Sequence, residues 1–423
     1  MPTWIESIIM ARPLMGRIVA ARPVPWHPVT AVYLARAIRD FGDGFIAIVL
    51  PVYLLALGLS AFDVGVVATS ALFGSALLTL AIGQLGGRYD LRKLLLCASV
   101  LMALTGVVYA AVSDYTVLLI VAFVGTINPS GGSTSIFVPL EHTVLTGAVT
   151  SATRTRSFAR YSLIGALAGA FGSLMAAAPD WLGLAGIDRL DALRLMFIAY
   201  AVLGVAGGFA YAQIPRRPIA HRTERTPSLG SSRGIVYKLA ALFSIDSFAG
   251  GFVVQSLLAL WLFERFQMSL AAASVFFFWT GVFSAFSFPV AAWLGGRIGL
   301  VNTMVFTHLP SSLCLIAAAF APSLEVALAL LLIRSALSQM DEPTRSSYVM
   351  AVVTEAERPA AASVTAVPRS LASAASPAIA GALFAAGLHA WPLLLCGGLK
   401  ILYDVMLLVA FRTIKPPEER GDS

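Results

Sequence analysis

Apolar residues in this chain come in long runs broken by short polar gaps. The runs lack both the two-residue alternation of a half-buried strand and the polar stripe of a helix facing water. Twelve of them approach the ~20 residues that a helix needs to cross a ~30 Å hydrocarbon layer. They fall at 31–57, 63–85, 94–112, 117–145, 158–178, 193–214, 238–262, 270–293, 303–321, 324–351, 360–386 and 391–411. Runs of that length predict helices rather than barrel strands. The expected fold class is an all-α membrane protein with twelve transmembrane helices.

The one extended polar interruption, residues 215–237 (PRRPIAHRTERTPSLGSSRGIVY), has the Pro, Ser, Gly and Arg of a solvated linker and divides six runs from six. The predicted order is a tail (1–30), a six-helix bundle (31–214), the linker (215–237), a second six-helix bundle (238–411) and a tail (412–423). The halves repeat one another. Leu85-Gly86-Gly87-Arg88 recurs 209 residues later as Leu294-Gly295-Gly296-Arg297, and Arg160, Gly172 and Leu174 meet Arg369, Gly381 and Leu383 at the same shift. Phe41, Gly44 and Phe45 meet Phe248, Gly251 and Phe252 at a shift of 207, and Pro139 and Arg154 meet Pro343 and Arg358 at 204. Duplication at half the chain length is how many secondary transporters are built.

Composition agrees with the pattern. The chain is 58% hydrophobic and 12% charged, with a mean hydropathy of +0.84, so its solvent is lipid. Placing the N-terminus in the cytoplasm puts 20 of the 29 Lys and Arg in loops and tails on that side, against Arg189 and Arg265 outside. This bias predicts that both ends are cytoplasmic and makes the net charge of +7 a topology signal rather than a sign of nucleic-acid binding. The first 28 residues lack the apolar core of a cleavable signal and read as a cytoplasmic tail. Cys97, Cys314 and Cys396 sit singly in apolar runs, as small buried hydrophobes. No phosphate-binding G-x-x-x-x-G-K-[ST] loop and no zinc-ligand spacing is present. The expectation is therefore no metal, no cofactor and no enzymatic role.

Gly83-Gln84-Leu85-Gly86-Gly87-Arg88-Tyr89-Asp90-Leu91-Arg92-Lys93 is similar to the G-x-L-a-D-R-x-G-R-K loop of the major facilitator superfamily. With twelve runs arranged six and six and a basic central loop, the resemblance covers nearly the whole chain. It implies two pseudo-symmetric six-helix bundles and alternating access. Gly87 stands where the family has Asp and Asp90 where it has Gly, which leaves the helix cap and gate contact of that Asp unassigned.

Charges inside apolar runs each cost several kcal/mol unless paired or wetted, so they are the functional candidates. Arg36, Arg39, Asp40 and Asp43 follow i, i+3, i+4, i+7 and share one face of the first span. They line a central cavity with Asp43 as the proton carboxylate, or else they are ion pairs that hold helices in register. Asp246 in the seventh span is a second substrate or proton group, or a gate contact. Asn128-Pro129-Ser130-Gly131-Gly132-Ser133 interrupts the fourth span as a binding-site break or a packing kink. Arg334, near mid-depth in the tenth span, calls for an anionic ligand or for Asp43 or Asp246. Lys400 and Asp404, four apart in the twelfth span, are expected to neutralise each other. By the resemblance, Glu141 and Arg160 in one half, and Asp341, Glu342, Arg345 and Arg369 in the other, form a cytoplasmic gate with Arg88 and Arg297. Phe276-Phe277-Phe278-Trp279 reads as packing and lipid contact.

Gly165, Gly169 and Gly172 loosely resemble the fifth-span signature of the family's drug–proton antiporters, with Ala170 where Pro is expected, and tilt the reading towards efflux. The sequence thus points to a proton-coupled small-molecule transporter. It is expected to act as a monomer in a lipid bilayer, the plasma (inner) membrane of a bacterium, with protons as coupling ion. The rivals are an uptake symporter and a non-transporting sensor or scaffold on the same fold. A membrane-embedded enzyme would need a nucleophile–base or metal set that the sequence does not offer.

Overall fold

The computed structural model describes residues 27–85, 89–131, 135–215, 229–230, 232–354 and 357–412. Among them there is no strand, and α-helices follow one another in this order: α1 (Pro28–Ala56), α2 (Ala61–Leu85), α3 (Leu91–Ala111), α4 (Tyr115–Val124), α5 (Phe137–Ala148), α6 (Ser151–Leu174), α7 (Ala178–Leu184), α8 (Arg189–Ala212), α9 (Arg233–Gly251), α10 (Gln255–Phe266), α11 (Leu270–Ile298), α12 (Leu300–Ala319), α13 (Leu324–Ser338), α14 (Asp341–Ala351), α15 (Arg358–Ala385) and α16 (Trp391–Phe411).

Local chemistry sets many of the boundaries. Asp90, Asp114 and Asp188 cap α3, α4 and α8, accepting from the backbone N–H of Arg92, Val117 and Leu190 at 3.0, 3.0 and 2.9 Å. The cap at α3 resolves the departure in the Gly-Arg loop: Asp90, three residues late, does the capping. Gly86, Gly87 and Arg88 themselves lie outside the described residues.

Eight segments among the described residues are long and apolar enough to cross a membrane. The expected stretches that fall short do so for physical reasons. α1 carries four ionisable residues within eight positions, the fourth stretch is split into α4 and α5, the tenth is split into α13 and α14, and α15 is rich in Ala, Ser and Pro. The seventh stretch also breaks, at residues 252–254 between α9 and α10.

α1 packs on α5, α6 and α8, and α3 packs on α8. In the second half α9 packs on α15 and α16, and α12 on α13, α14 and α16. The halves touch where α2 meets α15, α6 meets α11 and α1 meets α10. The recorded cross-contacts gather at the end away from the 215–237 linker. There a Cβ on Gly65 would lie 2.5 Å from the Pro377 carbonyl, and one on Gly381 would lie 2.7 Å from that of Ala61, so only glycine lets α2 and α15 come this close. Beside this crossing the Ala378 N–H donates to Thr69 Oγ1 at 2.9 Å. Asp180 of α7 accepts from the Ala271 N–H at the start of α11, also at 2.9 Å. At the linker end, α5 packs on α1, α3 and α6, and α14 on α11, α12 and α15, each within its own half.

Large apolar side chains face outward all round, among them Phe209, Phe286 and Val409 at 69%, 67% and 72% exposed. An exterior of this kind suits hydrocarbon, not water. Phe276 and Phe277 are buried while Trp279 faces out, as expected of packing and lipid contact. Cys97, expected inside, is exposed.

Candidate functional site: two buried charge clusters

The polar stripe of α1 is buried, and it points at the neighbouring helices of its own half. Arg36 Nε meets Asp40 Oδ2 at 2.6 Å, while Arg39 Nη1 meets Asp40 Oδ1 at 2.8 Å and Asp43 Oδ2 at 3.6 Å. Arg39 Nη2 donates to Glu141 Oε2 of α5 at 3.1 Å. Glu141 is fully buried and also accepts from the hydroxyls of Tyr161 and Tyr211, on α6 and α8. Arg36 in turn donates to the Tyr161 hydroxyl at 3.2 Å. The guanidinium groups of Arg36 and Arg39 lie over the rings of Tyr161 and Phe137 at 4.7 and 5.1 Å. Three carboxylates thus share two guanidinium groups, leaving one negative charge in excess.

Asp43 sits beside the break in the fourth stretch. The Tyr200 hydroxyl lies 3.2 Å from Asp43 Oδ1 and 3.1 Å from the carbonyl of Thr126, the second residue of that break. Further along, Asn128 Oδ1 accepts from the Ser130 N–H at 3.0 Å, and Gly131 turns the chain with φ of +70°. Pro129 offers its carbonyl to the Ser256 N–H at 3.0 Å. Ser256 lies in the first turn of α10, so the break of the fourth stretch bonds across the two halves to the helix that follows the break of the seventh. Gly132 and Ser133 lie outside the described residues.

The second half holds a matching cluster. Asp246 of α9 accepts from Arg345 Nη2 at 2.8 Å and from Lys400 Nζ at 2.6 Å. Arg345 also pairs with Asp341 one turn back, and its guanidinium lies over Phe243 at 5.0 Å. Lys400 Nζ is 3.2 Å from His308 Nε2, and His308 Nδ1 is 3.0 Å from Asp404 Oδ1. Four spanning stretches are tied together by this chain of bonds.

Several expectations change. Glu141 holds Arg39 and two tyrosines rather than Arg160, which is exposed. Lys400 and Asp404 do not pair directly; both meet at His308. Arg345, counted in a cytoplasmic loop, is buried in the cluster, which reduces the loop tally by one. No ion pair joins Arg334 to Asp43 or Asp246 among the described residues, because those carboxylates are engaged elsewhere; the Arg334 carbonyl accepts from Ser311 at 3.4 Å. Arg297 stacks on Trp293 at 4.2 Å rather than in a charge network. Glu342 is exposed, and Arg369 is half-buried within electrostatic reach of Asp246, Asp341 and Glu342. His308, Tyr161, Tyr200 and Tyr211 are additions. The signal for His308 lay in the sequence, since it is an ionisable residue inside an apolar run; the tyrosines gave none.

Comparison with known proteins agrees with this picture. The sequence profile described as Major Facilitator Superfamily matches residues 32–244 and again 239–423. An uncharacterised membrane protein of Saccharomyces cerevisiae, YJR124C, is 21% identical over 401 residues, covering 86% of this chain and 89% of the yeast protein. The nucleoside transporter NupG superposes with a TM-score of 0.70 at 13% identity, over 92% of this chain and 100% of that one. The inward-open xylose transporter XylE from E. coli superposes with a TM-score of 0.70 at 15% identity, over 90% and 95%. The fold is that of a multi-pass helical membrane protein. The chain belongs to the major facilitator superfamily.

Proposed function

We propose that the chain is a secondary active transporter with twelve spans and both termini cytoplasmic. It moves a small molecule by rocking two six-helix bundles, residues 31–214 and 238–411, about a central path, with protons as the coupling ion and export as the direction. One observation carries the coupling: Tyr200 has one hydroxyl proton for three neighbouring oxygens, Asp43 Oδ1, the Thr126 carbonyl and, at 3.3 Å, the Thr126 hydroxyl. A proton on Asp43 completes the set, for Asp43 then donates to Tyr200 and Tyr200 to Thr126. It also cancels the excess negative charge of the cluster. Thr126 belongs to the break whose Pro129 bonds to Ser256 of the other half. A proton at Asp43 therefore changes bonds in the segment that links the bundles, which is what coupling requires.

Among the described residues the linker-end helices α5 and α14 pack within their own halves while the far end is joined, which supports a form open to the cytoplasm. The glycines of the fifth span support export through their resemblance to antiporters. The gate is the charge set around Glu141 and Arg345, with Arg334 left to meet an anionic group on the substrate.

The test is transport in proteoliposomes under an imposed pH gradient, with a substrate panel that includes nucleosides and pentoses. Proton-driven movement should appear for some panel member, outward in the cellular sense. Asp43→Asn should abolish uphill movement while leaving counterflow. A variant that still pumps as the parent does would remove Asp43 from the coupling role. Parent protein that moves nothing, in a panel extended to organic anions, would favour a sensor.

A further inference from the structure

The His308 site has a proton economy of its own. An ammonium group only donates hydrogen bonds, so the 3.2 Å contact from Lys400 Nζ requires a lone pair on His308 Nε2. The ring hydrogen is then on Nδ1, where it donates to Asp404 Oδ1 at 3.0 Å. That bond pattern is the one a ring carrying its hydrogen on Nδ1 makes. The bonded chain then holds three carboxylates, Asp246, Asp341 and Asp404, against two cations, Arg345 and Lys400. The excess negative charge has a place: Asp404 is fully buried, and its Oδ2 has no hydrogen-bond partner among the described residues.

The geometry points to His308, backed by Asp404, as a proton-binding site in the second half, filled at Nε2 and opposed by Lys400. A proton from water forms the Nε2–H bond, leaving the Nδ1–H on Asp404 in place. Lys400 loses its imidazole acceptor and keeps Asp246 Oδ1 at 2.6 Å. The new Nε2–H faces that same oxygen at 3.7 Å, so the imidazolium competes with Lys400 for Asp246. Filling the site therefore loosens the tie between α9 and α16 that Lys400 provides.

The groups facing His308 are few. From α16 come Lys400, Asp404 and the Tyr403 ring at 6.0 Å, and from α9 comes Asp246. α14 brings Arg345 and Asp341 through Asp246. α13 brings Arg334, whose carbonyl meets Ser311 one turn away, and α11 has Arg297 alone, stacked on Trp293. Arg369 and Glu342, one of each sign, stand outside the bonded chain. The proposal rests on the proton-coupled reading for its role in transport, though not for the existence of the site.

The test is a pH titration of the full-length protein in lipid nanodiscs, labelled with ¹⁵N-histidine and read by NMR, with His308→Gln assigning the resonance. At alkaline pH the wild-type ring should be the Nδ1–H tautomer, and on acidification it should gain one proton. Lys400→Met should move that midpoint up, and Asp404→Asn should move it down, each by about one pH unit. Lys400→Arg, which keeps the charge, should leave it within a few tenths of a unit. An Nε2–H tautomer in the wild type would overturn the proposal without any variant, as would a ring that stays neutral until the protein unfolds. Midpoints indifferent to Lys400→Met and Asp404→Asn would do so too. The readout needs no substrate, so its failure is separable from loss of pumping in Asp43→Asn.

Discussion

Asp246 accepts a 2.8 Å hydrogen bond from Arg345, joining the first stretch of the second half to its fourth. The first half makes the same junction with the signs exchanged: there the cation, Arg39, is on α1 and donates to Glu141 of α5 at 3.1 Å. The sequence shifts agree, since Asp246 follows Arg39 by 207 positions and Arg345 follows Glu141 by 204, the offsets seen in the flanking repeats. The two halves share the pair with its polarity reversed.

Breaking the second pair from one side should be costly. Asp246→Asn strands Lys400 as a buried cation, and removing one partner of a buried pair costs about 3–5 kcal/mol. Asp246→Asn/Lys400→Met removes both charges and should recover a large part of the loss. Thermal unfolding in detergent for the two singles and the double closes the cycle. A double variant no more stable than Asp246→Asn would show that Lys400 contributes nothing to the fold through Asp246.

The glycine crossing at the far face is open to a steric test. Gly65→Val pushes a branched side chain into the Pro377 carbonyl, which only separation of α2 and α15 relieves. Spin labels on exposed sites flanking the crossing should report longer distances between the halves than in the parent. Asp180→Ala, which takes the acceptor from the Ala271 N–H in the first turn of α11, should act in the same direction by about 0.5–1.5 kcal/mol. Unchanged distances in both variants would mean that these contacts do not hold the far face shut.

Glu357 makes stability depend on acid. It accepts from Ser232 Oγ at 2.7 Å, from Thr354 Oγ1 at 2.8 Å and from the Gly230 N–H, and these bonds hold its carboxyl down at about 2, against an ordinary 4.5. A depressed carboxylate contributes stability that is fully present above 4.5 and lost as pH falls from there through about 2. Melting temperature should therefore fall with pH across that window, and Glu357→Gln should flatten part of the slope. Parallel curves for the two proteins would exclude Glu357 as a source of the acid sensitivity.

Orientation is checked by labelling. In a background without native cysteines, Leu184→Cys, 89% exposed at the far end, should react with an impermeant maleimide on intact cells. Arg412→Cys, at the linker end, should react only after the membrane is opened. The reverse pattern would invert the topology.

Much of this architecture was legible in the sequence, and the losses have causes. Apolar run length located the helices, because a bilayer of fixed thickness sets their length. Helical periodicity placed Arg36, Arg39, Asp40 and Asp43 on one face, and all four are buried together. Their partners were not legible. Glu141 is 102 positions from Arg39, and His308 is 96 from Asp404; tertiary packing alone brings such residues together. Pairing Lys400 with Asp404 by local spacing failed because a second helix, α12, put an imidazole between them. The tyrosines on Glu141 were invisible for a related reason, since a phenol in an apolar run reads as packing until its neighbour is known.

Apart from Asp180, the contacts joining the two halves among the described residues are uncharged, among them glycine on backbone at Gly65 and Gly381, Ala378 on Thr69, Ser256 on Pro129, Gln255 on Gly44 and Phe171 on Phe278. Contacts without charge do no work in an electric field. The two buried clusters, each one negative charge in excess, do, at about 2.3 kcal/mol for a unit charge carried across 100 mV. Membrane voltage should therefore bias the charge state of the clusters and leave the uncharged crossing of α2 and α15 unchanged. Current measured against voltage in the two conformations would separate one from the other.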